Sequence, residues 1–452
     1  MRRALVITYY WPPTGGSGVQ RWVKFAKHMP EFGWQPVIYT PENPEQIAVD
    51  DSLLVNIPEQ AEVIKRRILE PYALARNILG GSGEKGAGVN PVNKQEKSLK
   101  QKIALWVRGN FFVPDPRVWW VRPSVRFLRN YLKRHPVDVI VSTGPPQSMH
   151  LIGLELHKIT GIPWVADFRD PWTELFYFKH LGLSSRVERK HRQMEQEVLD
   201  RASAVVAVTP MVQADFQNVT NTPVHLISNG FDEDDFGLAA GGSGSSAGKH
   251  TTVGKDSATG ASSATGSGSS RTKRTDTKFR IVHTGLFASD GNPLALWDAI
   301  AALPFKNRID IRLAGKVDAE IVEAIKDAGL EPNLSLLGYI SHDDSVQELK
   351  NADMLILPLR QEPEYKKVLP GKIFEYLASL KPVLGIGQED GAAAQLLRES
   401  NAGIMLDWPL GEAMADFICK VRNGEFKALG TGIGKYSRRN LTKKMIDLFE
   451  QL

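Results

Sequence analysis

The tract from Gly237 to about Lys278 divides this chain. Its residues are almost all Gly, Ser, Ala, Thr and Lys, with next to no large apolar side chain. Such a segment cannot bury enough surface to offset the entropy of ordering it, so it is expected to be a disordered linker or inserted loop. It also marks a domain boundary. On either side the same rhythm runs, with a short apolar stretch, a glycine or proline turn, apolar residues at helical spacing, and another apolar stretch. Continuous apolar stretches read as strands buried on both faces, and their alternation with helices predicts a parallel sheet covered on both sides. At 452 residues the chain exceeds one hydrophobic core. The predicted class is therefore α/β, with two doubly wound parallel-sheet domains. The first spans 1–236, the tract 237–278, the second 279–434, and a basic amphipathic helix over 435–452 folds back on the first domain.

In the first half, ALVITYY at 4–10 reads as a buried strand. The loop WPPTGGSG follows it, then a helix with Val19, Trp22, Val23 and Ala26 on one face, then a strand at 36–40. Gly15, Gly16 and Gly18 let the backbone approach a ligand closely. The spacing is neither a dinucleotide fingerprint nor a P-loop, and a turn made only for helix packing would look the same. VDVIVST at 137–143 ends in Gly144-Pro-Pro-Gln-Ser-Met-His150, and a strand at 163–166 ends in Asp167-Phe-Arg-Asp170. Polar residues at the carboxyl ends of parallel strands sit where open α/β sheets bind ligands. A long charged helix over 185–201 and strands at 204–208 and 225–227 complete the half.

The second half restarts with strands at 279–284, 309–314, 334–337 and 354–358, separated by helices over 294–302, 318–328 and 345–351. Its most informative stretch is VLPGKIFEYLASLKPVLGIG, Val368 to Gly387. A Pro370-Gly371 turn opens a short helix carrying Lys372 and Glu375, and a strand at 382–386 follows. Free N–H groups at a helix start favour phosphate. A carboxylate one turn later is placed to grip sugar or ribose hydroxyls. An ordinary loop, helix and strand would share the pattern.

Composition narrows the setting. With 42% hydrophobic and 24% charged residues the chain is of ordinary soluble type. Its single cysteine, Cys419, rules out an internal disulfide and a four-cysteine or Cys/His zinc cluster, and fits a reducing cytoplasm. The amino terminus is read as a first strand rather than a signal peptide, and no apolar run approaches the ~20 residues that span a bilayer. Lys97 to Arg134 holds ten Lys or Arg against Asp115 alone, together with Trp106, Phe111, Phe112, Trp119, Trp120 and Phe127. This segment is either a basic, aromatic surface resting on the anionic inner face of the cytoplasmic membrane, or a solvated helix whose aromatics face the core. No nucleic-acid-binding module accompanies the charge, so nucleic acid is not an expected partner.

Three pieces together, YYWPPTGGSGVQR, STGPPQSMHLIG with IPWVADFRDPW, and PGKIFEYLASLKPVL, resemble glycosyltransferase family 4 in order and spacing, particularly its bacterial members that build cell-surface polysaccharide. The likeness covers nearly all of the chain except the tract and a Gly/Asn/Lys-rich loop at 79–96. It implies the GT-B architecture, a cleft between two Rossmann-like domains. It also implies retaining, metal-independent transfer from a UDP- or GDP-linked sugar to a hydroxyl of a glycan or lipid-linked acceptor, with no cofactor. A sugar-nucleotide epimerase of the same fold and a non-catalytic nucleotide-sugar binder are the alternatives.

Carried over residue by residue, the resemblance makes Glu375 the ribose carboxylate. The usual partner glutamate is replaced by Lys367, which leaves Glu362 or Glu364 to supply a carboxylate, or Lys367 to bind phosphate directly. The arginine expected after the first strand of the second domain is missing from HTGLFASDG at 283–291, which holds Gly285. Lys316, Lys366 and Lys372 are the cationic candidates there. Tyr339 and Ile340 fall where the backbone meets the base. Gly15 to Gly18 and Gly371 lie against the diphosphate, and His150 matches a cleft histidine touching the donor sugar, a residue type otherwise structural at a helix start. Asp167, Arg169 and Asp170 read as an internal ion-pair cluster or as the acceptor base. The expected arrangement puts Asp167 nearest the chemistry, where it must point into the cleft to act, and makes Arg169 structural. Catalysis is thus expected from His150, Asp167 and Lys367.

Overall fold

The computed structural model describes residues 1–45, 49–70, 106–107, 109–174, 178–238 and 278–452. The 79–96 loop and nearly all of the 237–278 tract lie outside the described residues, as do residues 97–105 and 108 of the basic segment.

The first domain is a seven-stranded parallel sheet. Its strands are β1 (Arg2–Ile7), β2 (Trp34–Pro41), β3 (Glu62–Arg66), β4 (Val139–Gly144), β5 (Trp164–Phe168), β6 (Ala204–Ala207) and β7 (Val224–Leu226), in the order β3-β2-β1-β4-β5-β6-β7. Leu5 of β1 pairs with Val37 on one side and Ile140 on the other. Leu5 and Ile7 enter one core while Ala4 and Val6 enter the other, which is why β1 is apolar at consecutive positions rather than at alternate ones. The helices of this domain are α1 (Ser17–His28), α2 (Val118–Leu132), α3 (Ser148–Thr160), α4 (Ser185–Arg201), α5 (Pro210–Gln217) and the short α6 (Glu233–Phe236). On and before α2 the aromatics divide. Trp120 is buried, whereas Phe111 and Trp119 are exposed, as is Trp106.

The second domain is a six-stranded parallel sheet of β8 (Phe279–Thr284), β9 (Ile309–Ala314), β10 (Leu334–Gly338), β11 (Met354–Pro358), β12 (Val383–Ile386) and β13 (Gly403–Leu406), in the order β10-β9-β8-β11-β12-β13. Its helices are α7 (Leu294–Ala302), α8 (Ala319–Asp327), α9 (His342–Asn351), α10 (Lys372–Ala378), α11 (Ala392–Glu399) and α12 (Gly411–Arg422). Strands β3 and β13 escaped the sequence reading. The first is a half-exposed edge strand whose residues do not form an apolar run, and the second is four residues long and begins at a glycine. The first strand also ends sooner than expected, so Tyr9 and Tyr10 belong to the loop beyond the sheet rather than to β1.

The chain crosses between domains twice. Phe231 is buried in the second domain's core, with Phe236 and Tyr436 packed against the same cluster. After Tyr436 the last helix, α13 (Arg438–Phe449), returns to the first domain. Leu441, Met445, Ile446, Leu448 and Phe449 join Val19, Trp22, Val23, Ala26 and Trp34 in one core, each worth about 1.5–3 kcal/mol of apolar burial. The crossings touch, since the Phe231 amide donates to the Tyr436 carbonyl at 3.1 Å and the Arg438 amide to the Phe231 carbonyl at 2.8 Å.

Candidate functional site

On the second domain, the turns after β8 and β9 stack. Gly285 has φ +94° and Gly315 φ +108°, and a Cβ on Gly285 would lie 3.2 Å from Lys372 Nζ. Glycine here gives both the left-handed backbone and the room for a lysine head. Lys372 opens α10, donates to the Leu286 carbonyl at 3.2 Å and lies 3.1 Å from His283 Nε2. His283 Nδ1 is 3.1 Å from the Ile356 carbonyl and Nε2 is 3.4 Å from the Leu286 carbonyl. The shorter Nδ1 contact and the lysine beside Nε2 favour the proton on Nδ1, with Nε2 offering a lone pair to the lysine. Burial and the neighbouring ammonium push His283 well down, so it is neutral. Burial also lowers Lys372 to about 7, against a weak opposing pull from Glu375. Its cationic head is therefore held by neutral acceptors alone, which leaves its charge to be answered by an anion.

Glu375 follows one turn later. Its carboxylate has no hydrogen-bond partner among the described residues. Burial pushes it up, while His342 and Arg438 partly offset that and Asp235 adds to it. Arg438 is itself buried with Nη1 unpartnered, and burial together with nearby Arg21 lowers it to about 9. Gly371 is already helical and precedes α10 without a side-chain cap. Lys316 is exposed just beyond Gly315, and Tyr339 is 72% exposed beyond β10, next to half-buried Ile340. The structure thus brings Gly285, Lys372 and Glu375 beside one another, with Lys316, Tyr339 and Ile340 at the neighbouring strand ends.

The first-domain half is built differently. Gly16 is the N-cap of α1, with Gly15 before it, and a Cβ on Gly18 would press against Arg169 Nη1 at 3.0 Å and the Tyr10 ring at 3.1 Å. Arg169 donates to the Gly18 carbonyl at 2.7 Å, to the Gly144 carbonyl at 3.3 Å and to the Pro145 carbonyl. It ties the glycine loop to the turn after β4, a structural role. His150 is wholly buried, stacked on Phe168 at 4.4 Å, with Nδ1 2.9 Å from Ser142 Oγ. Burial drives it to about 3, so it stays neutral. Among the described residues its Nε2 has no partner, nor does either amide atom of Gln147 or the Ser148 hydroxyl. Two of these orphaned atoms meet at Gly144, where a Cβ would lie 2.6 Å from both His150 Nε2 and Gln147 Oε1. Buried polar atoms without partners are costly.

Asp167 does not point into the cleft, contrary to the role expected of it. It is fully buried and its oxygens accept from Arg21 Nε at 3.0 Å and Nη2 at 2.8 Å, from Trp22 Nε1 at 2.8 Å and from Thr143 Oγ1 at 2.9 Å. Burial pushes its carboxyl up, but the Arg21 charge and these donors outweigh that and hold it below the usual range. A carboxylate so committed cannot take a proton from a substrate. Asp170 is the one left open. No hydrogen bond or ion pair engages it among the described residues, its charge is felt by Tyr365 of the opposite domain, and burial raises it to about 6 against the pull of Arg169.

Lys367 is likewise elsewhere employed. From the 3-10 turn Pro363–Lys367 it reaches across the cleft to Glu174 Oε2 at 3.0 Å and Asp215 Oδ2 at 2.6 Å. Lys367, expected among the catalytic residues and as one alternative for holding phosphate, is here an interdomain bridge. In the same turn region Glu362 Oε2 is buried without a partner, whereas Lys366 pairs with Asp390.

Two sequence models match in tandem along this architecture, "Glycosyltransferase Family 4" over residues 90–235 and "Glycosyl transferases group 1" over 278–423, together more than half of the chain. The chain is a family 4 glycosyltransferase of GT-B fold. Solved structures agree in fold at low identity. Sucrose-phosphate synthase from Thermosynechococcus elongatus is 13% identical with a TM-score of 0.62, covering 100% of this chain and 99% of that one. HepE of Anabaena, solved with UDP and glucose, is 16% identical with a TM-score of 0.59 and full coverage of both chains, 100% and 100%. WaaG, a glycosyltransferase involved in lipopolysaccharide biosynthesis, is 15% identical with a TM-score of 0.53 and 99% coverage of each. No curated protein sequence matches the chain. For this glycosyltransferase, sequence reasoning missed His283, which lies beside Lys372, and the buried cations Arg21 and Arg438. Arg21 stood inside YYWPPTGGSGVQR, but nothing in the sequence named its partner.

Proposed function

We propose that this glycosyltransferase moves a sugar from a nucleotide diphosphate donor, UDP- or GDP-linked, to a hydroxyl of a glycan or lipid-linked acceptor. Retention of configuration, independence from metal, and a place in cell-surface polysaccharide synthesis belong to the same reading. The observation that carries it is Lys372, a recessed cation with only neutral partners, one turn from the unengaged carboxylate of Glu375. Glycosyl transfer needs positive charge beside the departing diphosphate and a hydroxyl-binding carboxylate beside the ribose. The likeness to HepE, which was solved with UDP and glucose, supports a uridine donor.

In this reading the neutral His150, Gln147 and Ser148 meet the sugar hydroxyls. Asp170, rather than Asp167, holds the acceptor hydroxyl, which its raised pKa suits as a proton acceptor. The first domain's outer face carries exposed Trp106, Phe111 and Trp119 among exposed Arg122, Arg126, Arg129, Lys133 and Arg134. Such a face suits anionic headgroups, from which a lipid-linked acceptor would be drawn at the inner surface of the cytoplasmic membrane. No described helix is long and apolar enough to cross a membrane.

The test is a donor screen. A thermal shift with UDP or GDP selects the base, and nucleotide release from the matching sugar nucleotides, with and without glycan acceptors, reads transfer. Sugar isomerisation without release would favour an epimerase and overturn the proposal.

A further inference from the structure

Three side chains near the first interdomain crossing meet without satisfying one another. His28 closes the last turn of α1, 6% exposed, with Nδ1 2.7 Å from Glu31 Oε1. Its Nε2 is buried and has no hydrogen-bond partner among the described residues. Glu233, the first residue of α6, has Oε2 in the same condition. Asp232 caps α6 by accepting from the Asp234 amide at 3.2 Å. Its other oxygen pairs with Lys24 at 2.6 Å and Lys27 at 3.0 Å. One ligand atom from each of His28, Asp232 and Glu233 lies within 4.8 Å of the other two.

An imidazole whose Nδ1–H is given to a carboxylate presents a lone pair at Nε2. Carboxylate oxygens also present only lone pairs. Acceptors that face acceptors in a buried place repel unless something positive lies between them. The lysines do not fill the gap, because both ammoniums sit on Asp232 Oδ2, and Lys27 also holds Asp234 at 2.7 Å. Arg439 is drawn to Glu31 at 2.6 Å. Around the three ligand atoms the four carboxylates of Glu31, Asp232, Glu233 and Asp234 are matched by Lys24, Lys27, Arg439 and Arg438, which senses Asp232, yet none of these cations donates to His28 Nε2 or Glu233 Oε2 among the described residues. The Glu31 contact is moreover the outer-shell arrangement that fixes the tautomer of a metal-binding histidine.

The geometry points to a divalent transition-metal site of the zinc class at the interdomain crossing, with His28 Nε2, Glu233 and Asp232 as ligands. Bonds of about 2.0–2.2 Å to a central ion would close the gap after small side-chain rotations. A nitrogen ligand with two carboxylates suits zinc better than magnesium or calcium, which prefer all-oxygen shells. The ion would clamp α1 to α6. The glycine loop lies at the opposite end of α1, so the site is structural and stands apart from the transfer chemistry.

The experiment uses the full chain in a Cys419→Ser background, because a free thiol also binds zinc. After chelator treatment, Zn²⁺ is titrated by calorimetry and the thermal midpoint is followed. One equivalent should bind and raise the midpoint, Mg²⁺ should do neither, and His28→Gln and Glu233→Gln should each weaken zinc at least tenfold. If His28→Gln fails to fold, Glu233→Gln in the first turn of α6 still gives the answer. Equal zinc affinity in Glu233→Gln and its parent would overturn the site. So would the absence of zinc binding in a parent whose midpoint simply rises on acidification, since a proton would then fill the gap.

Discussion

Asp167 and Glu375 are both carboxylates recessed near the same cleft, yet Asp167 accepts four hydrogen bonds while Glu375 accepts none among the described residues. The cations follow suit. Arg21 and Arg169 spend their donors on protein oxygens, whereas Lys372 rests on a neutral imidazole and a carbonyl. The first domain uses buried charge to brace its loops, and the second keeps charge in reserve. A bound nucleotide would complete the second half and leave the first nearly as it is.

The comparison can be broken most forcefully at the brace. Asp167→Asn or Arg21→Met removes one partner of a buried pair, and urea unfolding should show a loss of about 3–5 kcal/mol. Because the Asp167 carboxyl is held below its unfolded value, its contribution is present above the ordinary carboxylate range and disappears as pH falls through the lowered folded value. A neutral outcome would mean that the pair is not a brace. Lys372→Met should do the reverse, with UDP binding weakened by about ten- to a hundredfold, the order of one charged hydrogen bond, and a thermal midpoint unchanged or higher because a half-buried charge without an ionic partner is gone. Loss of stability with binding intact would invert the roles assigned to the two halves.

Asp170→Asn should lower transfer by roughly tenfold or more while UDP affinity holds, and the wild-type rise in rate as pH passes about 6 should flatten in the variant. UDP affinity itself should decline as pH rises through about 7, since Lys372 then loses its proton in the empty site. The slope should vanish in Lys372→Met. Smallest of all, Lys367→Ala should cost no more than about 1 kcal/mol, because its partners Glu174 and Asp215 are partly solvated. A larger loss would show the cross-cleft bridge to be a brace as well.

What the sequence revealed follows the same division. The Pro370-Gly371 turn, Lys372 and Glu375 lie within six residues, so their joint placement is a local matter of helix geometry and was legible. Strand, turn and helix boundaries such as Phe279–Thr284 and Ser185–Arg201 were legible for the same reason. The Arg21–Asp167 pair spans 146 positions and Lys372–His283 spans 89, and only the sheet order brings them together. Without that order, Asp167 and Asp170 are equivalent members of one charged run. Their fates separate because residues three apart at the end of β5 face different surroundings, one the interior and the other the cleft.

The two crossings carry a further implication for movement. Gly230 passes so close to the Tyr436 carbonyl that a Cβ there would collide with it, and the two segments are stitched by amide bonds on both sides of Phe231. A single connecting strand would behave as a swivel, free to twist. Two strands laid side by side behave as a flexure, stiff to torsion and compliant to bending in one plane. Opening and closing of the cleft should therefore follow one arc, returning Tyr365 to the same place near Asp170 on every stroke.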